Sequence, residues 1–172
     1  HISVSDNKPD DAVYSFKKAV EINNENTDAR HELINLNINS IYRILSTGEK
    51  SPPSPFSKGG IEGGFDLINE CMGLDRDGEY TPQLHNLRGL LYLSEMDVKR
   101  AINEFEYAIT LDEKYFSPYL NMGSIYTYYE TDPVKALEYY NRGLKLKITG
   151  QERDLINSEI EKIKNISKAV GR

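Results

Sequence analysis

Residues 89–108, GLLYLSEMDVKRAINEFEYA, decide the fold. Gly89 and Tyr92 lie three residues apart in one apolar-periodic run, and a second run places Ala101, Phe105 and Ala108 on one helical face at spacings of four and three. Small residues at such positions let two helices cross at close range, and an aromatic side chain four residues from the first of them fills the space beside it. The stretch therefore reads as two helices packed as a pair.

The pattern recurs on both sides. Ala136, Tyr140 and Gly143 repeat Ala101, Phe105 and Ala108 after 35 residues, and Gly123 and Tyr126 repeat Gly89 and Tyr92 after 34. Asp112 and Asp132–Pro133 fall in the breaks, where caps and turns belong. Near the start, Ala12, Phe16 and Ala19 return within PDDAVYSFKKA, a second helix without its first. Cys71 is the counterpart of Ala19 and Ala108, yet it follows Ala19 by 52 residues, so about half a repeat of foreign sequence has entered. That intruder is 47–64, TGEKSPPSPFSKGGIEGG, whose prolines and paired glycines argue for a long loop. A smaller excess falls in the turn 75–81. Helices are expected over 9–22, 27–46, 64–74, 82–95, 98–111, 116–130, 133–147 and 151–169.

A 34-residue unit with Gly89, Tyr92, Ala101, Phe105 and Ala108 in these places resembles the tetratricopeptide repeat family. The resemblance implies an all-α fold, a right-handed superhelical solenoid of antiparallel helix pairs, here with a long loop insertion and a C-terminal capping helix. Residues 1–172 then form one domain: 1–26 a partial repeat, 27–81 a repeat interrupted by the 47–64 insert, 82–115 and 116–150 two more repeats, and 151–172 the cap. Ile156, Ile160 and Ile163 supply the cap's apolar side. The family's proline after the second helix is replaced by Glu113 and by Ile148. The first helix of the first unit would begin before His1, so the natural chain is expected to extend upstream. The insert resembles translated interspersed repeats of bacterial genomes, which points to a bacterial source; its composition suits a neutral loop or a docking loop.

Composition sets outer limits. A chain of 172 residues, 28% charged and 38% hydrophobic, can bury a core without disulfides. A net charge of −6 with both signs interspersed argues against nucleic acid, whose phosphates call for a basic patch. No apolar stretch reaches the roughly 18 residues of a membrane span. The single Cys71 suits a reducing cytoplasm, the expected location, and also a periplasm.

The sequence offers no catalytic constellation, and neither an enzyme nor a cofactor is expected. His31-Glu32-Leu33-Ile34-Asn35 mimics a zinc-protease HExxH, but Asn35 stands where the second imidazole belongs. Asp75-Arg76-Asp77-Gly78 has the look of a calcium loop, but alignment on Gly78 puts Gly73 and Leu84 at essential ligand positions. Lys58 precedes its glycines, the reverse of a Walker loop, and His85 reads as a packed helix residue. No metal site is expected.

In the family the inward faces of the first helices line a concave groove. Helical spacing assigns to that face Asp28, His31, Glu32, Asn35, Ile38 and Asn39, then Gln83, Asn86, Leu87, Leu90, Leu93 and Ser94, then Ser117, Leu120, Asn121, Ser124, Thr127 and Tyr128. Asn amides can pair with the backbone of an extended peptide, and Leu87, Leu90 and Leu93 can meet an apolar anchor. The expected function is a non-catalytic scaffold holding a peptide or helix of a protein partner. The lysines and arginines with which relatives clamp a chaperone's C-terminal carboxylate are absent from this face. Two other readings stand beside it: a substrate-recruiting arm of a larger enzyme, and a self-assembling homo-oligomer.

Overall fold

The computed structural model describes residues 8–47 and 60–170, with side chains from 11 to 47 and from 60 to 166. Among them are eight α-helices and no strand: α1 (Lys8–Ile22), α2 (Thr27–Thr47), α3 (Gly60–Leu74), α4 (Thr81–Ser94), α5 (Val98–Leu111), α6 (Phe116–Tyr128), α7 (Pro133–Leu144) and α8 (Gly150–Val170). Each helix packs on the next in the chain, and α2 also packs on α4. No helix among the described residues is long and apolar enough to cross a membrane.

The core divides into three joined parts. Ile34, Ile38, Ile41 and Ile44 of α2 meet Leu67, Ile68 and Cys71 of α3 and Leu84, Leu87 and Leu91 of α4. Phe105 and Ile109 of α5 meet Tyr119, Met122 and Ile125 of α6. Ala136 and Tyr140 of α7 meet Ile156 and Ile163 of α8, with Ile160 partly buried beside them. Leu90 packs against the first two parts and Tyr126 against the last two, so the core continues along the chain.

The small-and-aromatic pattern has a direct steric basis. A Cβ added to Gly89 would lie 2.6 Å from Phe105 Cε1, and one on Gly123 would collide with the ring of Tyr140. Each ring thus rests on a glycine of the preceding helix, where any larger residue would push the pair apart. The connections are capped locally. Asp97 accepts from Arg100 N at 2.9 Å, and Asp132 from Val134 N and Lys135 N at 3.1 Å, satisfying free donors at the starts of α5 and α7. After α4 the chain turns through Met96 at φ 62°, with Met96 N bonded to Leu93 O and Asp97 N to Tyr92 O. This is a Schellman ending with methionine in the left-handed position that glycine usually fills.

The 47–64 loop is corrected at both ends. Thr47 belongs to α2, and α3 begins at Gly60 rather than at 64. Gly63 and Gly64 are buried in α3, and a Cβ on Gly64 would stand 2.8 Å from Leu91 Cδ2. These glycines serve a close helix approach, which outweighs their weak helix propensity. Gly64, Ile68 and Cys71 also carry the four-and-three spacing of Ala101, Phe105 and Ala108. Residues 48–59, including the prolines and Lys58, lie outside the described residues. Elsewhere α6 stops at Tyr128 and α7 at Leu144, two and three residues short of expectation.

Candidate functional site

The last turns of α2 and α4 and the residue after α6 converge on one open cleft of about 250 Å³, lined by Leu45, Leu90, Leu93, Ser94 and Tyr129. The lining is mostly apolar, and Ser94 Oγ donates to Leu90 O at 3.0 Å, turning its polar group back onto the helix. At that volume the cleft falls below the range of roughly 300 Å³ upward typical of small-molecule pockets, and it suits one apolar side chain of a larger ligand. Leu90, Leu93 and Ser94 belong to the face expected from sequence. Leu45 and Tyr129 do not. Leu45 follows Ile44, the last residue of the buried isoleucine stripe, so it sits at the stripe's edge, a position that helical spacing alone could have revealed.

The remaining groove residues meet different fates. Asn86 is 2% exposed and its Oδ1 accepts from Asn121 Nδ2 at 2.8 Å, so the two amides tie α4 to α6. Leu87 and Ile38, expected on the open face, are buried in the core, which corrects that part of the face. The reason is register: a helix packed on neighbours at both flanks buries a stripe wider than one row of residues. Ser124 lies 3.5 Å from Tyr140 Oη. Tyr128 is exposed along its ring, while its hydroxyl donates to Glu159 on α8. Asn35 and Asn39 are exposed, and Gln83 is half-buried. Asn35 Nδ2 donates to Tyr80 Oη at 3.4 Å.

Two polar clusters were not visible as such in the sequence. At one end of α2, His31 Nε2 lies 3.0 Å from Asp77 Oδ2, and its Nδ1 lies 3.9 Å from Glu79 Oε2. Tyr80 meets the same imidazole edge-on, with ring centroids 5.2 Å apart. The hydrogen bond from His31 is the leading cause that holds Asp77 below the ordinary carboxylate range. His31 and Asp77 each belonged to a motif rejected when read alone; 46 residues of chain separate them, and only folding joins them.

Between α4 and α5, Glu104 meets His85 Nδ1 at 2.7 Å and Arg88 Nη2 at 2.9 Å, and the His85 ring packs against Tyr107. Burial pushes Glu104 up, but the hydrogen bonds of His85 and Arg88 outweigh it and leave the carboxyl below its usual range. Nearby, Phe65, Asn69, Arg88, Tyr92, Glu95 and Arg100 line a second open hollow of about 340 Å³, with the Arg100 guanidinium over the Tyr92 ring at 4.4 Å. Its two arginines are already engaged, Arg100 with Asp97 and Arg88 with Glu104.

Compared with protein-family models, curated proteins and solved structures, the chain has no match among any of the three.

Proposed function

We propose that this protein is a tetratricopeptide-type solenoid without catalytic activity, which holds a peptide or helix of a partner protein along the face of α2, α4 and α6. The observation that carries this reading is the shared cleft: Leu45 of α2, Leu90 and Leu93 of α4 and Tyr129, the residue after α6, line one hollow. A surface assembled from corresponding helices of successive repeats is what a solenoid offers an extended ligand. The rings of Phe105 and Tyr140 seated on Gly89 and Gly123 support the repeat reading, since they give the family's small and aromatic positions a packing role.

On this reading the cleft takes an apolar anchor, while exposed Asn35 and Asn39 lie farther along α2 for backbone contacts. Asn86 and Asn121 set the spacing of α4 and α6 rather than touching the ligand. A displayed library of random peptides, selected on wild type and on Leu93→Ser/Tyr129→Ala, tests the proposal. Peptides sharing a Leu, Phe or Met anchor should enrich on wild type and be lost on the variant, with both proteins equally helical by circular dichroism. Enrichment of the same peptides on both proteins would remove the cleft from the binding site.

A further inference from the structure

We propose that His31, Asp77 and Glu79 form a binding site for a divalent first-row transition ion, zinc foremost, that ties α2 to the turn between α3 and α4. One ligand atom from each residue lies within 4.8 Å of the other two.

The turn is built to present its two carboxylates. Asp75, 8% exposed, fixes the loop by accepting from Tyr80 N and, at 2.6 Å, from Thr81 Oγ1, while Asp77 Oδ1 accepts from Glu79 N at 3.4 Å and its Oδ2 faces His31. Gly78 adopts φ 76°, a left-handed conformation that bends the chain between these two residues. Arg76, the cation of the turn, is engaged by Glu25 at 2.6 Å. Two carboxylates therefore converge on one imidazole, an excess of negative charge that a divalent cation would neutralise.

The donor set selects the ion. One imidazole nitrogen and two carboxylates suit zinc and its neighbours, whereas calcium and magnesium prefer six or more oxygens. Zinc bonds of about 2.0–2.2 Å in a tetrahedron place ligand atoms a little over 3 Å apart. His31 Nε2 and Asp77 Oδ2 already stand at 3.0 Å. Glu79 now faces Nδ1 instead, and its 66% exposed side chain has room to swing to the Asp77 side. Tyr80, packed on the imidazole and bonded to Asn35, limits rotation of the ring. Three protein ligands leave a fourth position for water.

Titrating zinc chloride into the metal-free full chain by calorimetry at neutral pH tests the site, with calcium and magnesium chloride in parallel. The expected result is one saturable zinc site, little heat from the other two ions, and a rise in Tm at saturation. His31→Ala and Glu79→Gln should each weaken binding by more than the roughly 10–100-fold that loss of an outer-shell partner costs. Glu21→Gln, at an exposed carboxylate on α1, should leave it unchanged. Glu79→Gln alters a side chain that the fold does not bury, so it keeps the test clear of unfolding. Absence of saturable zinc binding, or an unchanged affinity in both variants, would overturn the proposal.

Discussion

The ring of Phe105 lies against the Cα of Gly89 so closely that a Cβ there would stand 2.6 Å from Cε1 and 2.9 Å from both Cδ1 and Cζ. Two opposed effects act on Gly89→Ala. Alanine favours the helix by about 1 kcal/mol, while forcing a methyl into a packed contact costs about 1–3 kcal/mol. Phe105 is fully buried and has little room to retreat, so the steric cost should win and urea unfolding should show a net loss. Gly73→Ala is the matched control: it is an exposed helical position with nothing within 4 Å, and stability should rise by roughly 0.5–1 kcal/mol.

Met96 occupies the left-handed region at φ 62° with its side chain 69% exposed, so it has strain and little packing to offset it. Met96→Gly should relieve a conformational cost of about 1–2 kcal/mol and lose part of that to the greater freedom of glycine when unfolded. The expected outcome is a small net gain in the urea midpoint with an unchanged m-value. Thr131, at φ 50° before α7, should respond in the same direction.

The helices were legible because their periodicity is local: eight were expected and eight are present among the described residues, with most boundaries within two residues. What escaped was context. The glycines of 60–64 read as helix breakers because nothing in the sequence shows Leu91 lying over Gly64. Asn86 looked like a ligand amide because its partner, Asn121, is 35 residues away. The His31 cluster was hidden for the same reason, since spacing along a chain does not show which turn folds back onto which helix.

Acid should find a weak point at Glu104. Its folded pKa is lowered, so its contribution is full above the unfolded carboxylate value of about 4.3 and is lost as pH falls through the lower folded value. Glu104→Ala leaves His85 and Arg88 without this acceptor and should cost about 1.5–3 kcal/mol near neutral pH. The difference in stability from wild type should shrink below pH 4. Denaturant melts of both proteins across that range measure it, and a constant difference would mean that the carboxylate charge is not what matters.

Cys71 is fully buried, its Sγ lies 3.9 Å from Ile34 O, and burial pushes its thiol up to about 12. Since the thiolate is the nucleophile, alkylation near pH 8 should be negligible in the folded state and proceed through opening. Labelling should therefore accelerate in Gly89→Ala and slow in Gly73→Ala, following their stabilities. Rates that ignored those substitutions would show that the α2–α3 contact opens on its own.

Two deletions separate residues 48–59 from the start of α3. Replacing 48–59 by a three-residue turn keeps Thr47 in α2 and Gly60 in α3, and shortens the connection fourfold. Each halving of loop length lowers the closure cost by about 0.6 kcal/mol, so stability should hold or rise by roughly 1 kcal/mol. Removing 47–64 outright also takes the buried Gly60, Gly63 and Gly64, the first turns of α3 and the surface on which Leu91 rests. That larger deletion should lower Tm relative to the shorter one. If thermal melts gave the same Tm for both, the contact of Gly64 with Leu91 would contribute nothing, and the first turns of α3 would be as dispensable as the sequence alone suggests.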